Sequence, residues 1–271
     1  MDMQDNDEDA ISPRGNAKED RHFVTALARG LEVLSSFRSG DQILGNQEIA
    51  DACKLPRSTV TRLTYTLTKL GYLHLVPSLG KYRLGTATLA LGSAMLSKLD
   101  VRQIARPLMQ ELADSSQAMV SLGVRDKLSM IYVENCRSHA ALTLSLDVGS
   151  RIPIGTTAMG RAYLAICPET ERRELMERIR ELDEIAWPRI ETGIRKAITD
   201  FQDIGCCTSF GDWQKDVHAV AVAFQPGEGL PLMSMNVGGP AFSLSPEYLL
   251  EEVRPRLIDT VNLIMGRVGR A

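Results

Sequence analysis

Residues 55 to 73 read LPRSTVTRLTYTLTKLGYL, and six of the first fourteen are Ser or Thr. Hydroxyls compete with helical hydrogen bonding, so a helix that carries this many has another use for some of them. Val60, Leu63, Leu67 and Leu70 recur at spacings of three, four and three, which predicts one buried stripe. The opposite face then carries Arg57, Ser58, Thr59, Arg62, Tyr65, Thr66 and Lys69. Such side chains hydrogen-bond base edges and phosphates: Arg reads guanine, Ser and Thr serve several partners, and other cations and hydroxyls hold phosphates. Arg57, Thr59 and Arg62 are the expected base readers, since the N-terminal end of a recognition helix meets the bases. Ser58 is either a further DNA contact or a cap of the helix. Lys69 is expected at the phosphates, as are Lys81 and Arg83, two apart on one side of a strand, and Arg29 near the start of the first helix.

The elements that must position these residues are legible around them. ALARGLEVLSSF predicts helix one, with Val24, Leu27, Leu31, Leu34 and Phe37 on its inner face. Asn46 is the expected N-cap of a short second helix with Ile49, Ala50 and Cys53 inward, ended by Leu55-Pro56. The third helix opens at Pro56 or Ser58 and closes at Gly71. The period then falls to two in YLHLV and KYRLG, flanking a PSLG turn, which predicts a β-hairpin. Three helices and a hairpin make a winged helix-turn-helix, mainly α, over residues 23–85.

Charge agrees with that reading. Between Phe23 and Gly85 eight basic residues face four acidic ones, a local +4 in a chain of net −3, so the remainder carries −7. From Lys54 to Arg83 there are six cations and no carboxylate. A contiguous positive stretch on an acidic protein calls for an anionic partner, and double-stranded DNA is the expectation. Residues 1–22, with five carboxylates in the first nine positions, are expected as a disordered tail. With 44% hydrophobic and 24% charged residues and no long apolar run, the chain is expected to be cytoplasmic, with no membrane partner. Its five cysteines and four scattered histidines suggest neither a disulfide framework nor a metal site, and no cofactor is expected.

Residues 86–99, TATLALGSAMLSKL, are expected as an apolar linker helix suited to a connector or dimer contact. Residues 100–271 mix helices (VRQIARPLMQELADSS, AMGRAYLAI, ETERRELMERIR, one before Gly205 and a last one from Ser245-Pro246) with strands at AMVSLGV, SMIYVENC, ALTLSL, HAVAVAF and LPLMSMNV. That pattern predicts an α+β domain around a mostly antiparallel sheet. In GSRIPIGTTAMGRAYLA, Thr156 or Thr157 can cap a helix whose small Ala158 and Gly160 leave its N-terminus open to a carboxylate; an organic acid fits there. The competing reading is that Thr is only a cap and the small residues only pack. Cys136 and His139 in ENCRSH are too divergent in a strand context to form a nucleophile and base, and adjacent Cys206 and Cys207 read as structural thiols, so no catalytic residue is expected.

ALARGLEVLSSF, NQEIADACKLPRSTVTRLTYTLTKLGYL and GKYRLG resemble the N-terminal domain of IclR-type bacterial transcriptional regulators. GSRIPIGTTAMGRAYLA and GDWQKDVHAVAVAF with MNVGGPAFSLS resemble that family's two effector-domain signatures. The resemblance implies a GAF-like effector domain, self-association as a dimer or dimer of dimers, and a ligand-controlled repressor or activator acting on an operator. It also implies an effector pocket drawing on Ile152, Ala158, Asp212, Ala219, Asn236 and Gly238, to which the capping argument adds Thr157. Where the family often has SxSGP, this chain has Asn236, Val237 and Gly238, an amide and a hydrogen in place of two hydroxyls. The alternative function is a ligand-binding or enzymatic α+β protein whose N-terminal module is not a DNA reader.

Overall fold

The computed structural model describes residues 22–37, 43–96, 100–138, 145–227 and 229–269. The acidic stretch expected as a tail lies outside the described residues except for its last position, and so does His139. The chain forms two units, residues 1–98 and 99–271.

The first unit runs α1 (Thr25–Ser35), α2 (Asn46–Cys53), α3 (Arg57–Lys69), β1 (Leu73–Val76), β2 (Lys81–Leu84) and α4 (Thr86–Leu96). Its core is Val33, Ile49, Ala50, Cys53, Val60, Leu67 and Leu73, closed over by Leu34, Phe37, Leu63 and Tyr82. The face expected to be buried on α1 is only partly used: Leu34 and Phe37 pack against the core, Val24, Leu27 and Leu31 are exposed, and the fully buried residue, Val33, lies off that face. The core of so small a unit reaches only the C-terminal part of that helix, which leaves an apolar strip exposed among the described residues. Leu70 is likewise exposed, and Thr64 takes the buried place between Val60 and Leu67, because α3 ends at Lys69 and Leu70 lies beyond the core.

Asn46 is not the N-cap of α2. Gly45 holds that position, and the Glu48 carboxylate returns to the Gly45 N–H at 2.5 Å. The Asn46 side chain is thereby released to join α2 to α3: Thr64 Oγ1 donates to its Oδ1 at 3.1 Å, and its Nδ2 donates to Thr61 Oγ1 at 3.3 Å. The strands β1 and β2 pair antiparallel with His74 opposite Arg83 and Val76 opposite Lys81. Leu44 adds a third short rung, exchanging hydrogen bonds of 2.9 and 2.8 Å with Tyr82. The unit is a winged helix-turn-helix. Helix α4 exposes Leu89, Leu91 and Met95.

The second unit contains α5 (Asp100–Ser116), β3 (Met119–Asp126), β4 (Ser129–Arg137), β5 (Arg151–Pro153), α6 (Ala158–Ile166), α7 (Glu169–Leu182), α8 (Trp187–Ile204), β6 (Cys207–Phe210), β7 (Val217–Phe224), β8 (Met233–Pro240), α9 (Pro246–Tyr248) and, after a π-helical turn at Leu249–Val253, α10 (Arg254–Val268). Six described strands form one antiparallel sheet in the order β5-β4-β3-β8-β7-β6. In β7, Ala219, Ala221 and Ala223 share a core with α6 and α8, and the alternate residues Val220 and Val222 are buried on the other face. The domain is α+β and GAF-like, its sheet curled around α6. The strand expected at ALTLSL is not found where it is described: residues 141–144 lie outside the described residues, and 145 and 146 are not in a strand. The edge strands β5 and β6 are too short to show a period of two, and the sequence reading passed over them.

The α2 to α3 tie is testable. Replacing Thr64 by Val keeps the volume and leaves Asn46 Oδ1 without its donor, so urea unfolding followed by circular dichroism should show a loss of about 1 kcal/mol in the N-terminal unit. An unchanged or stabilised unit would mean that the contact does not hold the two helices.

Candidate nucleic-acid interface and effector cavity

Helix α3 emerges from Pro56, so Arg57 is its first residue and Ser58 does not cap it. Arg57, Ser58, Arg62, Tyr65 and Lys69 are exposed and Thr59 is half-buried. Three of the six hydroxyls are used inside the helix: Thr61, Thr66 and Thr68 donate to the carbonyls of Arg57, Arg62 and Thr64, while the Thr64 hydroxyl shares its hydrogen between Val60 O at 2.9 Å and Asn46 Oδ1 at 3.1 Å. Back-bonding of this kind satisfies a threonine without solvent. Ser58 and Thr59 stand apart, with no such bond, at the end of the helix that also holds Arg57 and Arg62. Lys69 is further along, its Nζ 5.6 Å from the centre of the Tyr65 ring.

On the wing, Arg83 is exposed and Lys81 is not a free cation: its Nζ lies 2.8 Å from Glu48 Oε1. The Lys81 contact first, and the Gly45 N–H second, hold the Glu48 carboxyl below the ordinary carboxylate range. The pair therefore persists at neutral pH and is lost only as pH falls through that lowered value. Arg29 is exposed on α1, and among the described residues no ion pair joins it to α3. Glu48 and Asn46, which set the charge of the wing and the seating of α3, were missed as site residues; the Glu at the third helical position after Gly45 was the available signal.

In the second unit, Thr157 caps α6, its Oγ1 accepting from Gly160 N at 3.1 Å and donating to Pro153 O at 2.7 Å. Gly160 is a packing residue as well, since a Cβ there would come within 2.2 Å of Ile154 O. Ahead of it, Thr157, Ala158 and Met159 line a cavity with Tyr132, Ile152, Ser209, Trp213, Val217, Ala219, Asn236 and Gly238. Six of the seven residues expected there by sequence meet at this cavity. The seventh, Asp212, faces away from it and pairs with Arg161 at 2.6 Å.

The cavity offers about 20 Å³ for water-sized spheres, room for roughly one water molecule. Its polar groups are unequally engaged. Ser209 Oγ donates to Thr156 O at 2.8 Å, whereas the buried Asn236 Oδ1 finds no partner among the described residues. Burial pushes the Tyr132 phenol up to about 12, partly offset by Ser121 and Asn236 as hydrogen-bond partners, so it is a neutral donor at every physiological pH. The first-turn N–H groups of a helix have no partner within it, and here that turn belongs to the cavity wall. A ligand with an anionic end and a hydroxyl donor matches this set. Tyr132, Met159, Ser209, Trp213 and Val217, which also line it, were missed.

Burial pushes the Cys136, Cys167 and Cys206 thiols up to about 11 and Cys207 higher still, which disfavours the thiolate form.

Comparison with known proteins accords with both halves. Residues 26–77 match the IclR helix-turn-helix domain and residues 93–265 match the bacterial transcriptional regulator IclR C-terminal domain. The HTH-type transcriptional regulator TsaQ1/TsaQ2 of Comamonas testosteroni is 34% identical over 252 residues, 92% of this chain and 90% of that protein. The Pca regulon regulatory protein of Pseudomonas putida is 28% identical over 80% of this chain and 75% of its own length. Among solved structures, an IclR family transcriptional regulator from Brucella abortus superposes with a TM-score of 0.85 at 45% identity, covering 94% of this chain and 96% of that one. An IclR homologue from Microbacterium hydrocarbonoxydans, solved with 4-hydroxybenzoate, shares the fold with a TM-score of 0.72 at 21% identity over 91% of this chain and the whole of that one. A winged helix with a basic reading face, a capped-helix cavity in a GAF-like domain and these matches identify the chain as a member of the IclR family of bacterial transcriptional regulators, which join a helix-turn-helix DNA-binding domain to an effector-binding C-terminal domain.

Proposed function

We propose that residues 23–85 read a palindromic operator in the cytoplasm, with Arg57, Thr59 and Arg62 on base edges, Ser58 beside them, and Arg29, Lys69, Lys81 and Arg83 on phosphates. The observation that carries this reading is the division of labour along α3: the threonines past Arg62 bond back into the helix, while Ser58 and Thr59 share its exposed N-terminal end with two arginines. The exposed apolar strips of α1 and α4 supply material for self-association as a dimer or dimer of dimers, and residues 86–99 connect the two units.

Residues 100–271 form the effector domain, and the ligand we favour is a hydroxy-substituted aromatic acid, in keeping with the 4-hydroxybenzoate of the Microbacterium homologue. Its carboxylate would meet the N-terminal turn of α6, and its hydroxyl would donate to Asn236 Oδ1. Ile152, Thr157, Ala158, Ala219 and Gly238 would enclose it, with Asp212 acting from outside the cavity. Ligand binding shifts operator affinity by as much as it favours one arrangement of the DNA-binding units over another. No residue is assigned to catalysis.

Three measurements bear on this. Arg62→Ala should cost about 1 to 3 kcal/mol of operator affinity in a gel shift and relax sequence preference; unchanged affinity and preference would remove α3 as the reader. Glu48→Gln removes the carboxylate that competes with phosphate for Lys81, so it should tighten binding to all DNA alike; weaker binding would contradict the wing assignment. Thermal shift against hydroxybenzoic acids should raise the melting temperature of the wild type and not of Ala158→Leu, which fills the cavity. Equal shifts in both would place the ligand elsewhere.

A further inference from the structure

The inner cavity is one of two that share a partition. Strand β6 and the segment after it form that partition by alternation: Ser209 and Trp213 line the inner cavity, while Thr208, Phe210 and Asp212 line an outer one against α8. The outer cavity holds about 590 Å³, within the range of about 300 to 1,000 Å³ usual for small-molecule sites, whereas the inner is nearly closed.

Its floor is a buried cation. Arg161, only 5% exposed, donates from Nε to Gly155 O at 3.3 Å and from Nη1 to Thr208 O at 2.9 Å and Asp212 Oδ2 at 2.6 Å. Its Nη2 makes no hydrogen bond to the described residues and abuts Gly193 of α8, where a Cβ would lie 2.3 Å away. A larger residue at that position would force the guanidinium to shift. A guanidinium that lines a cavity with donors to spare favours an acceptor there, and its planar fork suits a carboxylate. At the rim, Arg189 is exposed and makes no ion pair with the described residues, while Lys196 is paired with Asp200 at 2.5 Å; Asp200 and Asp212 are the carboxylates that line the site.

We propose that the outer cavity binds a small carboxylate through Arg161 and Arg189, and that this anion competes with Asp212 for Arg161 and so opens the inner cavity. A second negative charge at the guanidinium repels the Asp212 carboxylate, and Asp212, whose side chain is 43% exposed, is the partner able to turn into water. Its neighbour Trp213 walls the inner cavity, so releasing one loosens the other. By linkage, the ligand of the inner cavity must then tighten binding at the outer one. This last coupling rests on the effector reading above; binding at Arg161 does not.

The test uses the full chain carrying Trp187→Phe, in which Trp213 is the one remaining indole. Sodium malonate is titrated against sodium chloride at constant ionic strength, following both heat and the acrylamide quenching of Trp213. The expected result is a saturable heat with malonate alone and increased quenching of Trp213, weakened about tenfold by the exposed-site substitution Arg189→Glu and abolished by the charge-conserving Arg161→Lys. No saturable heat, or the same heat in Arg189→Glu, would overturn the site. Heat without a change at Trp213 would overturn the coupling. Neither result touches the hydroxybenzoic acid experiment, so the two readings fail separately.

Discussion

The seating of α3 on α2 is the constraint on which the rest of the DNA-binding unit depends. A recognition helix can present only one face, and which face it presents is fixed by what it buries. Here the buried stripe is Val60, Thr64 and Leu67, and the polar member of that stripe is satisfied by Asn46 of α2. Rotating α3 would part Thr64 from Asn46 and carry Arg62 away from the outer face. Asn46 is available because the cap of α2 is supplied by Gly45 and Glu48, and Glu48 in turn holds Lys81 of the wing. One short network thus fixes the pitch of the reading helix and tempers the charge of the wing.

The same economy of polar groups shapes the effector domain. Thr157 closes the cap of α6, Ser209 bonds to Thr156 O, and Arg161 draws the ends of three segments together through Gly155, Thr208 and Asp212. Among what is left over are the buried Asn236 carbonyl oxygen on the inner side and, on the outer side, Arg161 Nη2, which bonds to none of the described residues. An acceptor and a cationic donor on opposite faces of one partition would give the proposed two-cavity sensor its chemistry.

Much of this was legible in the sequence, for reasons that lie in period and composition. The winged helix followed from the apolar spacing in α3, the Leu55-Pro56 break and the two-residue period of the hairpin. Six of the seven residues expected at an effector pocket line one cavity, brought there from segments far apart in the chain. What failed were places where burial depends on size and partners rather than on pattern. Leu70 fits the stripe but falls beyond the end of the helix, and Thr64, polar by type, is buried because Asn46 lies eighteen positions away in sequence. Val24, Leu27 and Leu31 have a core-like spacing, yet the first unit has no core left to give them. Asp212 carries the family pattern but is held by Arg161, fifty-one positions upstream, and no local signal announces a pair of that separation.

That α3 reads base edges in the major groove is the claim on which the functional account stands. Dimethyl sulfate footprinting of the full chain on DNA selected for binding tests it most directly, because the reagent reports guanine N7 in that groove. The account predicts protected guanines in two half-sites whose centres lie about 34 to 36 Å, one helical turn, or a multiple of it apart. Unprotected guanines, with protection confined to the backbone or the minor groove, would contradict it.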